Sequence, residues 1–200
     1  MAGLAGQHEE NVARRDVRRA QLLESAAGHF REHGYTAASM RDIAATAGIK
    51  AGSMYYHFDS KEELLVAVHE QGIRRIVAAV ETAAAGEVEP WRRLQAAMTA
   101  HLGGLLNGGD FAQVVIRELP HETGPVRDKL IRLRDHYETL FRGLVDALPL
   151  PSGTSRQYLR LMILGAMNWS QTWYRAEGDT PAEIAEAFIR LVKGPDYDDD

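Results

Sequence analysis

Apolar residues recur along nearly the whole chain at spacings of three and four, the period of a helix buried on one face. Val17, Leu22, Leu23, Ala26, Ala27 and Phe30 make one such stripe, running to about His33. Gly34 follows, free to take the left-handed conformation that ends helices. Ser39 is placed to cap a short helix with Met40, Ile43, Ala44 and Ala47 inward, and Gly48 ends it. A second short helix is predicted from about Ala51 to Tyr56. Ser60-Lys61-Glu62-Glu63 has the spacing of a capping box and opens a long helix carrying Leu64, Leu65, Val68, Ile73, Ile76 and Val80 as far as Gly86.

Glu89-Pro90-Trp91 puts a proline in the first turn of the next helix, which runs toward Leu106 despite Gly103 and Gly104. "NGGD" reads as a loop, with Asp110 capping a helix to about Leu119. Further helices are predicted from Pro125 to about Ala147, from about Arg156 to Tyr174, and from a capping box at Thr180-Pro181-Ala182-Glu183 to Gly194. No strand pattern or internal repeat interrupts this. The expected fold is all-α with about nine helices: a disordered arm over 1–13, a three-helix unit over 14–60, a larger helical unit over 61–194, and an acidic disordered tail over 195–200.

Composition narrows the function classes. The 200 residues are 45% hydrophobic and 26% charged, with a mean hydropathy of −0.30, the range of a water-soluble globular chain. The longest apolar run, Leu159 to Trp169, contains Arg160 and Asn168 and falls far short of the ~20 residues that span a bilayer. The first residues lack a secretory apolar region, and there is no cysteine. Together these predict a cytoplasmic protein without disulfides.

The charge of −5 is unevenly distributed. From Arg14 to Lys61 there are eight basic and five acidic residues, a net of +3, so the rest carries −8. An N-terminal part that meets an anion fits this asymmetry.

Two short helices joined by a glycine-containing turn form a helix-turn-helix, whose second helix lies in the DNA major groove. Ala44 and Ala47 allow close approach, Gly48 supplies the turn and Ile49 plugs the pair. Small residues at 51, 52 and 53 let the helix start sit deep against a duplex. Tyr55, Tyr56 and His57 offer donors to phosphates, and Lys61 is placed for another contact. Tyr55 and Phe58 fit the core equally well.

Tyr35 to Leu65, "YTAASMRDIAATAGIKAGSMYYHFDSKEELL", resembles the DNA-binding segment of the TetR family of one-component repressors (TetR/AcrR type). Ile43-Ala44, Ala47-Gly48-Ile49, Gly52-Ser53, Tyr55-Tyr56-His57-Phe58, Lys61 and Leu64 carry the likeness. Lys50-Ala51 stands where the family often has a hydroxyl cap followed by Lys. The resemblance implies phosphate contacts from Ser39, Tyr56, His57 and Lys61, and groove contacts from Arg41, Lys50, Ala51, Gly52, Ser53 and Tyr55. Arg14 and Arg15 would reach the flanking backbone or minor groove as an N-terminal arm. It further implies a homodimer on a palindromic operator, released by a small-molecule effector, with no cofactor and no metal.

On the same grounds residues beyond 61 are the effector-binding and dimerisation part. Met98, Leu102, Leu106, Phe111, Val115, Tyr137, Phe141, Met162, Trp169 and Trp173 are spaced as helix interior and are candidates for an effector wall, with plain core the competing reading. Arg117, Glu118, Asn168 and Gln171 are polar groups beside apolar stripes that could fix an effector. Trp173-Tyr174-Arg175, Gly178 and Pro181 are similar to the C-termini of TetR-type regulators of fatty-acid, acyl-CoA and steroid catabolism, which implies an acyl-CoA or related catabolite as effector.

An enzyme is disfavoured, because no GxSxG elbow, phosphate-binding glycine loop or HExxH helix occurs. His29 and His33 lie one turn apart, the spacing of an ordinary surface pair. A helical carrier that has lost DNA binding is the remaining alternative, with Lys50-Ala51 as its support.

Overall fold

The computed structural model describes the backbone of residues 2–107, 109–117 and 125–194, with side chains from residue 15 onward. Its elements are α1 (Ala2–Ala37), α2 (Met40–Thr46), α3 (Ala51–Met54), α4 (Lys61–Ala85), α5 (Pro90–Leu106), α6 (Asp110–Arg117), α7 (Pro125–Asp146), α8 (Arg156–Trp169) and α9 (Pro181–Lys193). There is no strand among the described residues, and the all-α architecture is as the apolar periodicity predicts.

Most boundaries follow from local chemistry. Ser39, Ser60, Ser155 and Thr180 each accept a hydrogen bond from a first-turn N–H of the helix that follows. Glu89 does the same for both Trp91 and Arg92 ahead of α5. The capping box at Thr180 and Glu183 is complete. At Ser60 only half forms, because Glu63 accepts from the Asp59 N–H at 2.7 Å.

Three boundaries differ from the sequence expectation. The helical backbone begins at Ala2, where a disordered arm over 1–13 is expected; this stretch contains no proline and is rich in good helix formers. At Gly34 a φ of 76° and ψ of 157° interrupt α1 where the sequence places the end of the first helix, and a further helical turn carries the chain to Ala37. α3 is shorter than expected, closing at Met54. α8 stops at Trp169 and passes into a 3-10 turn over Ser170–Thr172, where the Ser170 hydroxyl bonds the Met167 carbonyl. The expected ends at 119 and the tail over 195–200 lie outside the described residues.

Two apolar cores result. The first unites Leu22, Ala26, Phe30, Ile43, Met54, Phe58, Leu64, Leu65 and Val68, and it also takes in Phe111 and Val114 from α6 and Leu130 from α7. The second packs α4, α5, α7, α8 and α9 through residues such as Val80, Trp91, Met98, Phe141, Met167 and Ile184. Val17 lies outside both and is exposed, contrary to the predicted stripe. α6 seats directly on α4: a Cβ at Gly72 would stand 2.7 Å from Val115 and 3.2 Å from the Phe111 carbonyl. No described helix is long and apolar enough to cross a membrane.

Candidate nucleic-acid interface and effector region

Ser39 sits between α1 and α2, its oxygen accepting from the Asp42 N–H at 3.2 Å while its hydroxyl donates to the Asp42 carboxylate. After α2 the chain turns on Gly48, at φ 69°, and the Ile49 N–H returns to the Ala44 carbonyl at 2.9 Å. A positive φ at this turn is the reason for glycine there. Lys50 then stands at the N-cap of α3, exposed and with no side-chain capping bond.

α3 is anchored by one residue. Met54 is fully buried, whereas Arg41, Lys50, Ala51 and Gly52 are exposed and Ser53 is half-buried. A Cβ at Gly52 would meet nothing within 4 Å, so packing does not require glycine there. The open alternatives for Tyr55 and Phe58 separate here. Phe58 is core, while Tyr55 and Tyr56 expose 55% and 85% of their surface. Two adjacent exposed tyrosines leave large aromatic area in water.

His57 lies beside them, half-buried. Burial lowers its pKa first, and the charges of Arg15, Arg18 and Arg19 lower it further. The histidine thus senses a basic surface contributed by α1. Arg19 also stacks over Phe58, 5.1 Å from the ring centre. Arg15 is exposed; the side chain of Arg14 lies outside the described residues. Lys61 is turned inward toward backbone carbonyls at the end of α1 and of Ala38 just beyond it. His29, from the His29–His33 pair, bonds Thr46 across α1 and α2 at 2.7 Å.

The expected effector wall divides into three. Met98, Leu102, Phe111, Tyr137 and Phe141 are buried, and Leu106 and Val115 are partly so. Met162, Trp169 and Trp173 are instead exposed, which corrects their placement in the interior. α8 packs inward through Leu159, Ile163, Leu164 and Met167, so its opposite face carries Tyr158, Leu161, Met162, Gly165 and Trp169. Arg117 is exposed and donates to Gln171 at 3.1 Å; Glu118 lies outside the described residues.

Asn168 joins a polar cluster that sequence reasoning missed. Buried His101 makes contacts of 2.6 Å from Nδ1 to the Tyr137 hydroxyl and 3.1 Å from Nε2 to Asn168 Oδ1. With Oδ1 an acceptor, Nε2–H donates to it and Nδ1 accepts from Tyr137 O–H. Burial depresses the His101 pKa to about 4, partly offset by Asn168, and raises that of Tyr137. The available signal was a histidine in phase with the buried stripe of Met98, Leu102 and Leu105.

Two clefts meet at Arg75 and Phe111. One, of about 150 Å³, lies among α4, α5 and α6, between Gly72, Ile76, Ala79, Gly104 and Ala112. The other, of about 190 Å³, lies among α1, α4 and α6, along Asp16, Arg19, Ala20, Leu23 and Gln71. Of the expected wall, Phe111 alone borders these two clefts. The Arg75 guanidinium covers the Phe111 ring at 4.3 Å and pairs with Glu24 of α1 at 2.6 Å. Arg31 of α1 pairs with Asp110 at the start of α6, also at 2.6 Å. No group of three potential ligands among the described residues could hold a metal ion.

Residues 22–68 match the family described as bacterial regulatory proteins, tetR family, and residues 87–194 match the tetracyclin repressor-like C-terminal domain. The chain belongs to the TetR family. Among its TetR-type relatives, the HTH-type transcriptional repressor KstR2 of Mycobacterium tuberculosis is 29% identical over 187 residues, covering 88% of this chain and 92% of that protein. The TetR family regulator PfmR from Thermus thermophilus superposes with a TM-score of 0.74 at 28% identity, covering 86% of this chain and 92% of that one. AibR, crystallised with isovaleryl coenzyme A and operator DNA, shares the fold with a TM-score of 0.77 at 23% identity, covering 86% and 96%.

Proposed function

We propose that the protein is a cytoplasmic one-component transcriptional repressor that binds a palindromic operator as a homodimer and is released by a small-molecule effector. The observation that carries the reading is the exposed Tyr55-Tyr56 pair at the end of α3, beside a histidine that senses three arginines of α1. Exposed aromatic hydroxyls on a basic edge suit phosphate contact, and the shallow seating of α3 suits insertion into a major groove. DNA recognition belongs to residues 14–60 and effector binding with dimerisation to residues 61–194. Arg41, Lys50, Ala51, Gly52, Ser53 and Tyr55 face the groove; Arg14, Arg15, Ser39, Tyr56 and His57 hold the backbone.

The exposed apolar face of α8 supports the dimer. Leu161, Met162 and Trp169 surround Gly165, where a Cβ would meet nothing within 4 Å in the protomer. A small residue amid large apolar ones is what close helix approach by a second copy needs.

We assign the effector to acyl-CoA thioesters, including those of lipid and steroid catabolism. The crystallisation of AibR with isovaleryl coenzyme A supports this class, as do the matching residues at 173–181. The clefts at Arg75 are smaller than the ~300–1,000 Å³ of typical ligand pockets, so entry requires α6 to move. Because α6 is tied to α1 by Arg31–Asp110 and α4 by Arg75–Glu24, such movement is felt at the DNA-binding unit.

Affinity selection of fragmented genomic DNA on the purified protein, followed by footprinting, tests the reading. A palindromic footprint that isovaleryl coenzyme A or a longer acyl-CoA dissolves is the expected result. A folded dimer that enriches no fragment would refute it and favour a ligand carrier.

A further inference from the structure

Lys61 opens α4 with its ammonium directed back at the end of α1. Nζ donates to the carbonyls of Tyr35 at 2.8 Å, Ala38 at 3.0 Å and Thr36 at 3.2 Å. An ammonium has three protons and no other donor. All three are therefore spent within the protein. The same cation lies 4.5 Å from the centre of the Tyr35 ring, and the Tyr35 hydroxyl donates to Glu62 Oε1 at 3.0 Å.

The local electrostatics explain why the cation stays there. Carbonyls at the end of a helix lack intrahelical partners and carry the negative end of its dipole. A compact ammonium can turn its three protons onto oxygens that converge on a single point, a geometry that the rigid planar fork of a guanidinium matches less well. The Glu62 carboxyl, held below its usual range first by its own backbone N–H and then by Tyr35 and Ser60, adds negative charge beside it. The positive charge of Lys61 is thus matched from two sides before any phosphate arrives.

The position matters as much as the bonds. Residues 38 and 61 bracket Ser39, α2, the Gly48 turn and α3, so one side chain closes both ends of the helix-turn-helix. We propose that Lys61 serves DNA recognition as a positioning residue and not as a phosphate ligand: it fastens the end of α1 to the start of α4 and so fixes how α2 and α3 meet the duplex. The inference rests on the regulator reading only in that DNA is the partner.

The salt dependence of binding separates the two roles. Each phosphate neutralised contributes about 0.9 to the slope of log affinity against log salt. Binding of a fluorescent duplex enriched from genomic DNA is measured between 50 and 300 mM KCl for the wild type, Lys61→Met, Lys61→Arg, Tyr35→Leu and Arg15→Gln. Melting without DNA is measured in parallel.

Lys61→Met is expected to weaken binding about tenfold at every salt concentration, to keep the wild-type slope, and to melt earlier without DNA. Arg15→Gln is expected to lower the slope by about 0.9 per subunit. Lys61→Arg keeps the charge yet loses affinity. Tyr35→Leu, which alters no charge, weakens binding with the slope intact and decides the matter should Lys61→Met not fold. A Lys61→Met slope reduced like that of Arg15→Gln with unchanged melting, or full affinity in Lys61→Arg, overturns the proposal. If the wild type binds no duplex the regulator reading fails, and unchanged melting of Lys61→Met and Tyr35→Leu would then dispose of the clamp as well.

Discussion

The His101 cluster makes the protein's acid stability a calculable quantity. In the unfolded chain the imidazole titrates near 6.5, and in the fold burial holds it at about 4. Above pH 6.5 it is neutral in both states and has no effect. Below that the unfolded state takes up a proton that the folded state refuses, so stability falls until pH 4 and then levels. The full loss approaches about 3 kcal/mol, and at pH 5 it is about 2 kcal/mol. For a chain of this size that is roughly 4–8 °C in melting temperature. His101→Gln removes the titrating group while leaving one donor and one acceptor near Tyr137 and Asn168. Melting is followed at fixed concentration from pH 7.5 to 4.5 for both proteins, so that acid effects from carboxylates elsewhere cancel in the difference. The wild type should lose about 2 kcal/mol more than the variant between pH 7.5 and 5. Parallel curves would show that folding leaves the His101 pKa where it stands in the unfolded chain, and would refute its depression by burial.

Three glycines and one histidine give further tests. Gly52→Ala should leave melting unchanged or raise it by up to about 1 kcal/mol of helix propensity, since its Cβ meets nothing, yet weaken operator binding; undiminished affinity would remove α3 from the groove. Gly72→Ala should destabilise by about 1–3 kcal/mol, because Val115 and the Phe111 carbonyl occupy the space; an unaltered melting curve would contradict the tight seating of α6. Gly165→Glu should fold as well as the wild type and sediment as a monomer, and a persistent dimer would place the interface elsewhere. His57, its pKa lowered by burial and then by Arg15, Arg18 and Arg19, should regain a proton when phosphate approaches. Operator affinity at fixed salt should therefore rise as pH falls from about 8 to 6, and His57→Gln should flatten that rise; equal pH dependence in both proteins refutes the contact.

What the sequence disclosed was whatever depends on neighbours along the chain. Ser39, Ser60 and Thr180 cap helices because the bond joins residues three apart, and Gly48 marks a turn because only its own φ is at issue. Pairings across the fold were illegible. Nothing at Arg75 or Arg31 announces Glu24 or Asp110, and nothing at Lys61 announces the carbonyls of residues 35, 36 and 38. The α8 error has a related cause. Its apolar positions cover most of the circumference, so periodicity alone cannot say which side faces the protomer and which is left for a partner. Exposure of Met162 and Trp169 against burial of Ile163 and Met167 resolves what the spacing could not.

The position of α6 bears on how an effector could act at the DNA face. Phe111 and Val114 belong to the core that supports the helix-turn-helix, while Val115 on the same short helix packs against the other core. A ligand that wedges into the cleft of about 150 Å³ meets Phe111 and Ala112 of α6 on one wall and Arg75, Ile76 and Ala79 of α4 on another. α6 cannot yield toward α4, because no room for even a Cβ remains at Gly72. At its Asp110 end Arg31 holds it to α1, and Asp110 stands 3.1 Å from where a Gly28 Cβ would be, so a displacement of that end would bear on α1. Packed elements of this kind switch between discrete arrangements instead of deforming smoothly. The exposed ion pairs add little stability of their own, which suits a junction that must be remade at modest cost. On the proposed function, a ligand that displaced α6 would be felt at α1, the helix that carries the arginines around His57.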